Sequence, residues 1–158
     1  MKNLNRRDLC VAFSAFAAMG SVSAEAQTPM TPAQSGEKSL STPQAFPFDS
    51  LQAKKTENGV TRPVIQGVLP TGEAVEMHET TLLPGHMPHP AHKHRHSEFM
   101  MIREGTLEFD NDGKKEKVGP GGVVFAASNV MHGLKNVGDA PANYFVIAIG
   151  RESGVQKV

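Results

Sequence analysis

Residues 85–105 read GHMPHPAHKHRHSEFMMIREG, and five of the chain's 7 histidines lie between His86 and His96. His92 and His94 are two apart. On an extended backbone that spacing points both rings to one face, where two imidazoles can share a cation. Glu98 has the same parity, but a straight strand would set it about 13 Å from His94. The chain is therefore expected to bend through Arg95, His96 and Ser97, returning the carboxylate to the imidazoles. A third imidazole, His132, opens a later apolar run. Three borderline nitrogens and one hard oxygen suit one divalent Mn, Fe, Ni, Co or Zn ion. A set without thiolates departs from the usual structural zinc site.

On both sides of this stretch, short alternating apolar runs are separated by Gly, Pro and Asn-Asp clusters. That is the pattern of an all-β domain. Strands are expected at Val60–Ile65, Ala74–Leu82, His92–His94, Glu98–Arg103, Thr106–Asp110, Lys114–Val118, Val123–Phe125, His132–Val137 and Ala142–Ile149. Turns fall at Pro70-Thr71-Gly72, Glu104-Gly105, Asn111-Asp112-Gly113 and the Gly119–Gly122 run, where glycine and proline set the backbone. No segment sustains a 3.6-residue period with caps, and nothing repeats. One jelly-roll barrel or sandwich spanning residues 46–150 follows, since folding two sheets together manages exposed strand edges.

At this point the chain resembles the cupins, of the small single-domain type. The first cupin motif runs Gly, five residues, His-x-His, three or four residues, Glu, six residues, Gly. Here Gly85 is followed after six residues by His92-Lys93-His94, then Glu98, then Gly105. The second motif runs Gly, five residues, Pro-x-Gly, two residues, His, three residues, Asn. Here Gly121 leads to Ala127-Ser128-Asn129, then His132 and Asn136. Ala127 replaces the usual Pro and Asn129 the usual Gly, and Asn is among the residues that tolerate a positive φ. The resemblance implies a double-stranded β-helix barrel in which His92, His94, Glu98 and His132 bind one divalent metal ion. It implies that Gly105 makes a turn between motif strands, that Asn136 is structural and that the protein pairs as a homodimer through sheet edges.

The other histidines have plainer readings. His96 sits at the bend, facing solvent or supporting a ligand, and a set with His96 in place of His92 is the alternative. His86 and His89 lie among Pro84, Pro88 and Pro90 in a loop at the pocket rim. His78 belongs to a solvated strand face or a pocket wall. His96, His78 and Tyr144 are the candidate acid or base groups. Met77, Met87, Met100, Met101 and Met131, with Phe99, Phe125 and Phe145, are expected to pack or line the barrel, Met100 facing a cavity beside the metal.

Arg6-Arg7, an apolar stretch from Leu9 to Met19 and small residues up to Ala24 or Ala26 form the pattern of an export signal over residues 1–26. The arginine pair resembles the twin-arginine type. Residues 27–45, with Pro29, Pro32 and Pro43 among small polar residues, read as a flexible linker, and residues 151–158 as a tail. The only Cys, Cys10, precedes the apolar stretch and would leave with it. The expected destination is periplasmic or extracellular, without stable membrane insertion, because no apolar run approaches the roughly 20 residues of a spanning helix. The 16 basic and 16 acidic groups balance, which excludes the basic face of a nucleic-acid binder. The expected partner is a small molecule. Two functions follow: a metal-dependent enzyme of dioxygenase, isomerase, decarboxylase or lyase type, or a non-catalytic exported module that holds a metal or small ligand.

Overall fold

The computed structural model describes residues 38–150. Nine strands follow in order: β1 (Lys54–Thr56), β2 (Gly59–Val68), β3 (Ala74–Leu82), β4 (Ser97–Glu104), β5 (Leu107–Asn111), β6 (Lys114–Val118), β7 (Val123–Ala126), β8 (His132–Asn136) and β9 (Ala142–Ile149). All named pairings are antiparallel. One sheet has the order β1-β2-β3-β9-β4-β7 and the other β6-β5-β8. The two sheets form the all-β jelly-roll barrel expected from the sequence.

Two-residue alternation decides which side chains enter the barrel. On β4, Met100 and Ile102 are buried; on β9, Ala142, Tyr144, Val146 and Ala148 are. Leu107, Phe109 and Leu134 close the core from the smaller sheet. Leu82 and Leu107 are almost wholly enclosed, and each such side chain contributes about 1.5–3 kcal/mol. The opposite parity faces outward. Phe99, Met101, Val123, Phe125 and Met131 are exposed, which corrects the expectation that these Met and Phe residues pack the barrel. Apolar character alone does not say which face a residue occupies; register does.

Two elements also differ from expectation, and five other strands shift by one to three residues at their ends. His92–His94 is not a strand: His92 makes one isolated bridge, to His132. Pro88 and Pro90 immediately upstream lack the N–H groups a ladder needs. β1 was not foreseen, because Lys54, Lys55 and Thr56 have no apolar alternation and are all exposed. Backbone pairing with β2 alone holds it, and lysines suit a sheet edge. β2 runs through Pro63, where the register shifts, as a proline within a strand requires.

The outer face of the larger sheet carries a buried charge. Glu79 is fully enclosed, 2.8 Å from Arg62 and 3.0 Å from Thr81 Oγ1, and it also accepts from Asn143. Three donors offset the desolvation of the carboxylate. Phe48 stacks on Arg62 and Arg103 above it. Further upstream, Leu40 N and Lys38 O bond Val68. The export signal and the tail assigned to residues 151–158 lie outside the described residues, as does most of the expected linker. Among the described residues no helix is long and apolar enough to cross a membrane.

Candidate metal centre

Three chain segments meet at the mouth of the barrel. His132 opens β8, and its backbone N and O exchange hydrogen bonds with O and N of His92 at 2.8 and 2.9 Å. This bridge ties the proline-rich loop to the smaller sheet and sets the two rings side by side. The chain then turns at Arg95 and His96, as the spacing of His94 and Glu98 demanded. Asn129 N donates to His94 O at 2.7 Å, Ser128 Oγ to Arg95 O at 2.7 Å, and Ser128 N to Ser97 Oγ at 3.2 Å. Asn129 itself has φ +60°, so the residue that replaces the motif's glycine does adopt the left-handed conformation.

One ligand atom from each of His92, His94 and His132 lies within 4.8 Å of the others. Glu98 reaches the same place: Oε1 is 3.3 Å from His94 Nε2, and Oε2 is 3.7 Å from His132 Nε2. His96 stands apart from His92 and His132. It stacks on His94 with centroids 3.6 Å apart and contacts Glu98 Oε1 at 3.0 Å, forming a second group with those two residues. His89 packs edge-on against His92. His86 is exposed and bonds Asn58.

The nitrogens are prepared for a cation. His94 Nδ1 donates to His96 O and His132 Nδ1 to Val130 O, each at 2.9 Å. With the proton held on Nδ1, Nε2 keeps its lone pair. His94 Nε2, His132 Nε2 and His92 Nδ1 are buried without hydrogen-bond partners, a costly condition for polar atoms. A bare nitrogen facing a carboxylate oxygen at 3.3 Å opposes lone pair to lone pair. A divalent cation between them removes that repulsion and satisfies the orphaned atoms, so the residues present fit the metal.

Electrostatics agree. Burial, then the rings of His89, His132 and His94, hold His92 down to about 4, and burial lowers His94 as well. Both are neutral at physiological pH. Burial opposes ionisation of Glu98, but the nearby imidazoles of His132, His94 and His96 prevail and bring it to about 2. His132 is raised: burial works against its charge, and Glu98 together with the Val130 carbonyl outweighs burial.

A cavity of about 210 Å³ opens beside the cluster. Glu98, His132 and His89 stand on its wall, Met100, Leu134 and Val146 supply apolar surface, and Thr61, His78, Thr80 and Tyr144 supply polar groups. Met100 therefore faces the cavity, as its shared parity with Glu98 indicated. Thr61 and Thr80 were missed from sequence. Their signal was cross-strand register: they are directly opposed on β2 and β3, with hydroxyls 3.5 Å apart.

Residues 78–148 match the Cupin_2 family model, described as a cupin domain. Solved structures with the same fold include KdgF from Halomonas sp., at 17% identity and TM-score 0.59, covering 70% of this chain and 97% of that one. A predicted oxalate decarboxylase from Thermotoga maritima aligns at 19% identity and TM-score 0.57, covering 68% and 99%. The polyketide cyclase RemF from Streptomyces resistomycificus aligns at 18% identity and TM-score 0.57, covering 74% and 86%. No curated protein matches the chain significantly. The family match is confined to residues 78–148, and at such identities the neighbours speak for the fold alone.

Proposed function

We propose that the protein is an exported metal-binding cupin that acts as a metal-dependent enzyme on a small molecule. The observation that carries this reading is the set of orphaned, buried nitrogens of His92, His94 and His132, the last of which also stands on the cavity wall beside Glu98. His92, His94, His132 and Glu98 would hold one divalent ion. Bound there, the ion would supply Lewis acidity or electron relay to a molecule in the cavity. The chain's own part is to fix the imidazole tautomers through backbone carbonyls and to shelter the reacting groups against Met100, Leu134 and Val146. Neighbours named for decarboxylation and cyclisation of small molecules are consistent with this reading, as are dioxygenase, isomerase and lyase chemistries.

Export through an arginine-pair signal to the periplasm or outside the cell belongs to the same proposal, as does a homodimer. Exposed Phe99, Met101, Val123 and Phe125 on the outer sheet face offer apolar surface for a second copy. Phe125→Lys is expected to turn the dimer into a monomer in analytical ultracentrifugation while leaving metal content unchanged.

Metal analysis of the purified chain tests the site. One equivalent of a divalent ion is expected, and added metal should raise the melting temperature. At a hundredfold excess over Kd the gain is about 2.7 kcal/mol. His94→Ala should abolish both while the apo fold persists by circular dichroism. A cobalt-substituted form whose visible spectrum shifts with azide supports an open, reactive ion. A spectrum that no small ligand alters would favour the non-catalytic module instead.

A further inference from the structure

The cavity wall carries a titratable residue that the metal cluster does not use, His78, and behind it stands Glu76. His78 and Glu76 project from the same face of β3, and His78 Nδ1 lies 3.0 Å from both Glu76 carboxylate oxygens. A carboxylate in that position accepts the Nδ1 proton. Nε2 is then the ring's remaining polar atom, unprotonated, in a ring that lines the cavity. Both side chains are substantially buried, with 27% and 16% of their surface exposed. This is the arrangement of a base whose tautomer and orientation are held by a third group. The polar surface beside it is built from hydroxyls: Thr61 contacts Thr80, and the Tyr144 phenol shares the same wall.

We propose that Glu76 and His78 form a proton-accepting pair for the cavity, serving a substrate that is a compact phenol or enol. The inference rests on the small-molecule reading above and deepens it. An apolar cavity of about 150 Å³ takes benzene, so about 210 Å³ accommodates one substituted ring. Met100, Leu134 and Val146 would pack the ring. In the step, the substrate O–H bond breaks and the proton passes to His78 Nε2, while the electron pair stays on the substrate oxygen. The resulting imidazolium keeps its Nδ1–H bond to Glu76, so the pair carries one positive and one negative charge. No oxidant or further reactant is needed. The other titratable groups at the cavity are Glu98 from β4, His132 from β8, Tyr144 from β9 and His89 from the loop. From β2 the contributor is the uncharged Thr61, since Arg62 is paired with Glu79 on the outer face.

Two measurements on the full chain test this. Nitrogen-15 NMR of the metal-free protein reads the His78 tautomer directly. Nδ1–H is expected in the wild type and its loss in Glu76→Ala; Nε2–H in the wild type overturns the pair. The second uses 4-nitrophenol, whose phenolate absorbs in the visible and whose neutral form does not. At a pH where the free probe is neutral, binding to the metal-free wild type is expected to produce the phenolate band. His78→Gln, with unchanged melting temperature, should lose the band and bind roughly tenfold more weakly, the loss of one charge-assisted hydrogen bond. No band with the wild type, or an undiminished band with His78→Gln, overturns the proposal. The metal reading stands or falls separately, on metal content and on His94→Ala, which should leave the band intact.

Discussion

Asn129, Gly105 and Asn136 show how single residues hold the site in place. Asn129 takes a left-handed conformation and uses its N–H to fix the His94 carbonyl. Asn136, fully buried, donates to Leu82 O and Ala140 O and accepts from Gly138 N. That locks β8 to the end of β3 and to the turn before β9, and it explains the structural role the motif implied. Gly105 has φ +83°, and a Cβ there would lie 2.6 Å from Ala142 Cβ. Both the backbone and the contact penalise a side chain. Gly105→Ala is expected to cost roughly 2–4 kcal/mol, read as a lower denaturation midpoint in urea, with metal stoichiometry retained in the folded fraction.

At the scale of elements, much was legible because alternation and turn chemistry agree. β3, β6 and β9 begin and end where the apolar and polar pattern placed them, and the bend before Glu98 followed from distance alone. The misses have one origin. Pattern reading detects side chains that choose a face, and it is blind to backbone bonds made by residues without that choice. β1 is polar throughout, so only its pairing with β2 reveals it. The His92–Lys93–His94 segment alternates like a strand, yet its preceding prolines leave it one bridge. Ser128 and Asn129, which brace the bend, carry no sign of that task beyond the motif position they fill. The outward Phe99 and Phe125, with rings 5.0 Å apart, look like core in composition and are surface by register.

For the whole molecule, the titratable groups of the cluster tie stability to pH. His92 falls from an ordinary 6.5 to about 4, so between those values the unfolded chain binds more protons and acid destabilises the fold. Glu98 falls from 4.5 to about 2, and the stability it contributes is lost as pH drops through that lower window. The raised His132 acts with opposite sign. Its contribution is complete below 6.5 and is lost as pH rises through its folded value. The metal-free chain should therefore be most stable near pH 6.5, from these groups alone, and its melting temperature should decline towards pH 4. A melting temperature that rises on acidification below 6.5 would contradict the assignment. Bound metal competes with protons for the same nitrogens, so occupancy should fall over the acidic range as well.

The ligand positions do not share one sheet: Glu98 rides on β4 of the larger, His132 on β8 of the smaller, and His92 and His94 on the loop joined to His132. An ion seated among them would act as a rivet through two plates. Loading it should slow amide hydrogen exchange in β4 and β8 together, while β1 and β6, at the far edges, keep exchanging at the rate of the empty protein.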